Sequence, residues 1–152
     1  DKNEASDLSR QQKQVLKKLK EKNEMEIKTK IENIGKIAEE ISKLKRVKAV
    51  YLFGSYASGK QHAQSDIDLC VIGEINEKDE LKVFGFSNYN LDISTFNRLP
   101  IYIKMRVLKE GKPILIKDAE YMQRLKFNTL QEYLDFKPAI NKFARETLKC
   151  TI

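Results

Sequence analysis

The spacing of the hydrophobic residues changes near residue 46. Before that point, apolar residues recur mostly three, four or seven positions apart, which predicts amphipathic helix. After it, short apolar runs bounded by polar turns predict β-strands, and longer stretches with helical spacing lie between them. We therefore predict an N-terminal helical segment over residues 1–46 and an α/β (α+β) domain over residues 47–152.

The N-terminal segment has few apolar residues at positions 21–26. This gap predicts either two helices or one bent helix. Residues 27–44 are expected to pack on the sheet, as the apolar face of an ordinary amphipathic helix does. For residues 8–19 the spacing leaves two alternatives open, a protruding helix and a helix that joins two copies of the chain in a homodimer.

The rest of the chain predicts a mixed β-sheet of about four strands covered by helices. Strands are expected at residues 47–53, 66–73, 89–96 and 112–117. Pro113 places the last strand at an edge of the sheet, because proline has no N–H to donate to a neighbouring strand. Residues 81–86 predict a short strand or a helical turn.

Proline and glycine mark the ends of the predicted later helices. One helix is expected to begin at Pro100 and to end at Gly111. Asp118 is expected to cap the next helix. Pro138 predicts the end of that helix, so that residues 139–149 form a separate last helix.

Two carboxylates stand two positions apart in an apolar run, in the order Asp66-Ile67-Asp68-Leu69. Positions i and i+2 of a strand share a face, so both carboxylates point the same way while Ile67 and Leu69 turn to the core. Adjacent carboxylates repel each other unless a cation lies between them. Oxygen ligands on a strand suit Mg²⁺, which usually takes one or two protein carboxylates together with substrate phosphates.

A Gly-Ser turn precedes the carboxylates. Gly54 ends the first predicted strand, and Ser55 opens a short helix predicted over residues 56–60. Glycine lets the backbone approach a ligand closely, and the N–H groups of a helix N-terminus attract anions. The sequence therefore predicts a phosphate site beside the Asp66 and Asp68 pair, a combination that suits phosphoryl or nucleotidyl transfer.

This arrangement resembles the signature of the DNA polymerase β-like nucleotidyltransferases. The signature is carried by Gly54-Ser55, ten intervening residues and then Asp66-x-Asp68, with Phe53 as one apolar flank. Leu69 matches the other apolar flank. Within that superfamily the chain is most similar to the minimal nucleotidyltransferases of bacteria and archaea, which include the antitoxins of HEPN/MNT toxin–antitoxin pairs. The resemblance extends over residues 47–118 and does not reach the N-terminal helical segment.

The resemblance implies a site and a reaction. It implies that Gly54 and Ser55 bind the triphosphate of ATP and that Asp66 and Asp68 hold Mg²⁺, with two ions present when nucleotide is bound. It also implies a third carboxylate from a later strand. Asp92 is the candidate, because it stands between the apolar residues of Asn-Leu-Asp-Ile-Ser.

The sequence does not determine which group accepts the nucleotide. The resemblance favours transfer of AMP, or another nucleotide monophosphate, to a tyrosine of a HEPN toxin partner. The alternatives are a non-catalytic module that neutralises a partner by contact and a nucleotidyltransferase that acts on a small molecule. Polymerase activity is not expected, because a chain of 152 residues has no room for a template-binding domain.

Composition bears on two questions, whether the partner is a nucleic acid and where in the cell the protein is found. The net charge is +7, but the charged residues are interspersed, and residues 1–46 carry thirteen Lys or Arg against nine Asp or Glu. We therefore expect no nucleic-acid partner. No apolar run has the length of a membrane helix and no signal peptide is present, so the expected location is the cytoplasm.

Overall fold

The computed structural model describes residues 10–54, 57, 59, 66–88 and 90–150. Within these residues, helices and strands follow one another in the order that the hydrophobic pattern predicts, apart from the helix boundaries discussed below. The elements are α1 (Arg10–Ser42), β1 (Val47–Phe53), β2 (Ile67–Gly73), α2 (Glu77–Phe84), β3 (Leu91–Thr95), a 3₁₀ turn (Phe96–Arg98), α3 (Ile101–Glu110), β4 (Lys112–Ile116) and α4 (Ala119–Cys150).

The four strands form one mixed sheet in the order β3-β2-β1-β4. β1 is antiparallel to both of its neighbours, β2 and β4, whereas β2 and β3 are parallel. The predicted mixed sheet covered by helices is therefore confirmed. β4 is an edge strand, as Pro113 indicated, and an edge is where a sheet tolerates proline.

Helices cover both faces of the sheet and bury two separate apolar layers. One layer lies under α1 and α2, where Ile41 and Val83 are completely buried. The other lies under α3 and α4, where Val107 and Met122 pack on the sheet. Side chains alternate between the two faces along each strand, so Leu69 joins the first layer and Cys70 the second.

Helix α1 runs from Arg10 to Ser42 without interruption. Of the two predicted alternatives, the one with two separate helices is therefore wrong, and a single helix spans residues 21–26. That stretch contains Lys, Glu, Asn and Met but neither glycine nor proline, and most of these residues favour helix even where no apolar face exists. Side chains from residue 27 onwards pack on the sheet as predicted, whereas every residue from 10 to 26 is exposed.

Helix α4 continues through Pro138, so the separate last helix over residues 139–149 is also wrong. A proline inside a helix removes one N–H and crowds the carbonyl four residues earlier. Here that carbonyl belongs to Leu134, which is 53% exposed, and Pro138 is exposed as well. Water can therefore hydrate the unpaired carbonyl, and the helix tolerates the proline.

Of residues 81–86, for which the sequence predicts a short strand or a helical turn, residues 81–84 form the last turn of helix α2, so the helical alternative is confirmed. Asn76 caps this helix, since its side-chain oxygen accepts a hydrogen bond from the Asp79 N–H at 2.9 Å. Glu80 then ties the helix to the far end of β3, where it accepts two hydrogen bonds from Arg98, both at 2.7 Å. It also accepts one from the buried Thr95 hydroxyl at 3.3 Å.

The hydrogen bonds from Arg98 and its positive charge hold the pKa of the Glu80 carboxyl below its usual value. Glu80 therefore stays ionised near neutral pH and keeps its contacts with β3 and the 3₁₀ turn. In the part of the chain that the structure describes, none of the helices has the length and apolar character needed to cross a membrane.

Candidate active site

Asp68 lies at the centre of a group of predicted site residues. It is the second residue of β2, and its register partners are Phe53 of β1 on one side and Asp92 of β3 on the other. Register partners in a sheet point to the same face, so the Asp68 and Asp92 side chains are neighbours. This face is the one that α3 and α4 cover farther along the strands, where Cys70 is buried.

Gly54 follows Phe53 directly and brings the backbone against the Asp68 carboxylate. Its φ angle is +75°, in the left-handed region that favours glycine. A Cβ atom at this position would overlap Asp68 Oδ2. Any other residue would therefore be strained in its backbone and would also displace the carboxylate, which accounts for glycine at the end of β1.

The three predicted carboxylates differ in exposure. Asp66, just before β2, and Asp92, on the edge strand β3, are both exposed, whereas Asp68 is partly buried between its neighbours. Burial raises the pKa of the Asp68 carboxyl, and the negative charges of Asp92 and Asp66 raise that pKa further. Asp66 and Asp92 are therefore both close enough to Asp68 for their charges to act on it.

The donor set fits a hard cation. Carboxylate oxygens are the ligands that Mg²⁺ prefers, and a bound cation would relieve the repulsion that Asp68 experiences from Asp66 and Asp92. Among the described residues, no three His, Cys, Asp or Glu side chains are gathered closely enough to form a complete metal site. The pair of Asp68 and Asp92 suits an ion that takes only one or two protein carboxylates and completes its shell with phosphate oxygens and water.

Part of the predicted phosphate site lies outside the described residues. Ser55 falls there, as does most of the short helix predicted over residues 56–60. Of that segment the structure describes Ala57, which is buried, and Gly59, which has a φ angle of +74°. Of the predicted site residues that are described, Gly54, Asp68 and Asp92 are brought together, and Asp66 stands at the start of the same strand.

A tight turn directly precedes β3, the strand of Asp92, and the sequence motif does not mark it. Asn88 and Leu91 exchange two backbone hydrogen bonds, of 3.1 and 3.2 Å. The Asn88 side-chain oxygen accepts a third bond from the Asn90 N–H at 2.9 Å. The available signal was the Asn-Tyr-Asn run just ahead of the strand, because asparagine favours turns in which its side chain bonds the backbone two residues on.

Comparison with known proteins gives a family match that covers the whole sheet. Residues 35–120 match the family described as polymerase beta, nucleotidyltransferase. The chain belongs to this family. It is therefore a nucleotidyltransferase, and the matched region runs from the packed half of α1, through all four strands, to the start of α4. The first half of α1 and most of α4 lie outside the match.

A relative from Methanocaldococcus jannaschii carries the name protein adenylyltransferase. It is 31% identical over 101 residues, which are 66% of this chain and 82% of the relative. The family resemblance that the Gly-Ser turn and the Asp pair indicated is thus confirmed by a match at the level of sequence.

Solved structures with the same fold come from toxin–antitoxin complexes. One is a toxin–antitoxin structure with AMP-PNP, matched with a TM-score of 0.62 and 17% identity over 75% of this chain and 98% of that chain. Another is the Shewanella oneidensis complex of a tri-AMPylated HEPN toxin with an MNT antitoxin, with a TM-score of 0.56 and 15% identity over 77% and 94%. At these identities the likeness establishes the fold.

Proposed function

We propose that this nucleotidyltransferase is a Mg²⁺-dependent protein adenylyltransferase that transfers AMP from ATP to a tyrosine of a HEPN toxin and so acts as its antitoxin. The observation that carries the proposal is the pairing of Asp68 with Asp92 beside the Gly54 turn. The name of the M. jannaschii relative and the AMPylated toxin in one matched complex support the choice of nucleotide and acceptor.

The site residues divide the work of binding metal and binding phosphate in this reaction. Asp66 and Asp68 would hold Mg²⁺, and Asp92 would share in binding a second ion. When bound, the metal neutralises charge on the triphosphate and on the departing pyrophosphate. Gly54 lets the backbone approach the phosphates, because its Cα carries no side chain.

The chemical step is a displacement at the α-phosphorus of ATP. Asp92 draws the proton from the tyrosine hydroxyl, whose oxygen forms the new bond to phosphorus. The bond from phosphorus to the bridging oxygen of the β-phosphate breaks, and pyrophosphate leaves with the electron pair. Asp92 suits the proton transfer because it is exposed on an edge strand, where an acceptor side chain has access.

Exposed apolar side chains on α1 and α4 offer a contact surface to a protein partner. On α1, Val15, Leu16 and Leu19 are each more than half exposed. On α4, Phe127 and Leu134 are also more than half exposed, and they lie seven residues apart on one side of the helix. These residues lie outside the region matched to the family, which supports a contact surface that belongs to this chain and its partner.

The charge of α1 favours a different protein over a second copy as that partner. Residues 10–26 carry six Lys or Arg and three Glu. Two such basic helices side by side would repel each other, whereas an acidic surface would be attracted. The homodimer through the N-terminal helix is therefore the less favoured of the two arrangements, and it stays a prediction.

The test is transfer of label from α-labelled ATP to a purified HEPN protein, with Mg²⁺ present. Asp92→Asn keeps the shape of the side chain and removes the base, so transfer should fall by about two orders of magnitude. ATP binding through Gly54 and the Asp66 and Asp68 pair should persist. Asp135→Asn, an exposed aspartate of α4, is the matched control and should transfer label at the wild-type rate.

Two results would contradict the proposal. If the wild-type chain suppresses the toxin but transfers no label, the chain neutralises its partner by contact alone. If Asp92→Asn transfers label as fast as wild type, Asp92 is not the third carboxylate of the site.

A further inference from the structure

Among the described residues, the side chain of Asn88 bonds within the turn that precedes β3. Its Oδ1 atom accepts the Asn90 N–H at 2.9 Å, and the Asn88 and Leu91 backbones close the turn with bonds of 3.1 and 3.2 Å. Asn88 and Asn90 are both exposed. The Asn88 side chain therefore holds the Asn90 N–H, and the Asn88 carbonyl holds the Leu91 N–H in the same peptide group as the Asn90 carbonyl.

Asn90, directly before β3, makes the first contact with β2 through its carbonyl. The Asn90 carbonyl accepts a hydrogen bond from the Ile67 N–H at 2.8 Å. The next rungs of the same parallel pairing place Ile67 opposite Leu91 and then Asp68 opposite Asp92. Asn90 is thus bonded to the Asn88 side chain at its N–H and to β2 at its carbonyl, and it lies two residues before Asp92.

The register of this pairing decides whether Asp92 belongs to the site. Alternate residues of a strand point to opposite faces, so a slip by one residue would turn Asp92 away from Asp68. A smaller shift would move the Asp92 oxygens relative to the acceptor. Catalytic groups are sensitive to such shifts, since a displacement of about 1 Å costs on the order of 100-fold in rate.

We propose that Asn88 is a positioning residue for the transfer reaction, which it serves by holding the turn that places Asp92 beside Asp68. This inference rests on the proposed function, because the reaction that Asn88 would affect is the proposed AMP transfer. Asn88 itself touches neither nucleotide nor acceptor in this role. Its action passes through the Asn90 carbonyl and the Ile67 N–H to the register of β2 and β3.

The test compares three substitutions. Asn88→Ala removes the acceptor oxygen and should lower kcat for AMP transfer by about 10- to 100-fold. The KM for ATP and the Tm should change little, because the nucleotide is held by Gly54, Asp66 and Asp68 and the Asn88 side chain is exposed. Asn88→Asp and Asn88→Ser keep a side-chain oxygen that can accept the Asn90 N–H, and the serine variant adds no charge. Both should recover most of the lost kcat.

A second measurement examines the turn without using transfer activity. Hydrogen exchange at the Ile67 amide should accelerate in Asn88→Ala and return towards the wild-type rate in Asn88→Asp. Asn128→Ala, an exposed asparagine on α4, is the control and should change neither the exchange rate nor kcat.

The possible outcomes separate the two proposals. An unchanged kcat in Asn88→Ala overturns the positioning role, as does a parallel loss of kcat, Tm and ATP binding that Asn88→Asp does not reverse. If the wild-type chain transfers no AMP, the proposed function fails. The Ile67 exchange rate then still decides whether Asn88 controls the turn, and an unchanged rate overturns that part independently.

Discussion

The two halves of helix α1 differ in what surrounds them, although apolar residues are spaced at helical intervals in both. In the first half, Leu16 and Leu19 are 55% and 58% exposed. In the second half, Ile34 and Ile41 are 3% and 0% exposed, because that part of the helix crosses the sheet. Helical spacing thus predicts which face of a helix is apolar, but burial depends on whether another element lies within reach of that face.

The exposed half of α1 remains helical for reasons that lie in its composition and its attachment. Nucleation is the unfavourable step in helix formation, and the packed half provides a formed helix from which further turns can propagate. Residues 10–26 are mostly Lys, Gln, Glu and Leu, which favour helix. The first half therefore requires no packing of its own to adopt helix, which leaves its apolar side chains available to a partner.

The largest difference between the exposed helix and the packed body should appear in thiol reactivity. Burial raises the pKa of the Cys70 thiol to about 12. At pH 8 the thiolate fraction is then about a thousandfold smaller than that of an ordinary thiol, and burial adds a barrier to access. Two variants test this, both carrying Cys150→Ser. The first keeps Cys70, and the second carries Cys70→Ser together with a reporter thiol introduced by Leu19→Cys. Cys70 should react with a disulfide reagent at least about a thousandfold more slowly than the reporter at position 19.

The thiol reagent should react equally with both variants in denaturant, which serves as the control. If Cys70 reacts in the native protein as fast as the reporter at position 19, the layer under α3 and α4 is open to solvent, and the contrast between the packed body and the exposed helix is lost.

The next contrast is in the free energy of unfolding. Ile41→Ala leaves a cavity in a fully buried site and should lower the free energy of unfolding by about 2–5 kcal/mol. Leu19→Ala removes an exposed side chain from a helix and should change it by no more than about 0.5 kcal/mol. Urea denaturation followed by circular dichroism measures both. Equal losses in the two variants would show that the first half of α1 is packed in solution.

The smallest effect should follow deletion of residues 1–26. The packed half of α1 and its contacts remain, so the shortened chain should unfold cooperatively with a Tm within about 3 °C of the full chain. Its stabilisation by ATP and Mg²⁺ should also be unchanged. Loss of cooperative unfolding would assign residues 1–26 to the folded core, and a change from dimer to monomer in sedimentation would assign them to self-association.

Several features follow directly from local sequence. The apolar runs locate all four strands, Pro113 identifies an edge strand, and Gly54 marks the end of β1. The helix boundaries were less predictable. The polar stretch at 21–26 and Pro138 both suggest breaks, yet both lie in exposed helix where water can satisfy the backbone and no packing interaction is lost.

By itself, the sequence determined the family and the face of β2 on which the carboxylates lie, because the Gly-Ser turn, the Asp-x-Asp pair and the alternation of apolar residues are local patterns. Tertiary structure alone decided that Asp92 stands opposite Asp68. That pairing depends on the register between two strands joined by a connection that includes α2. Register is set by the packing of the sheet, which forms only when distant segments meet.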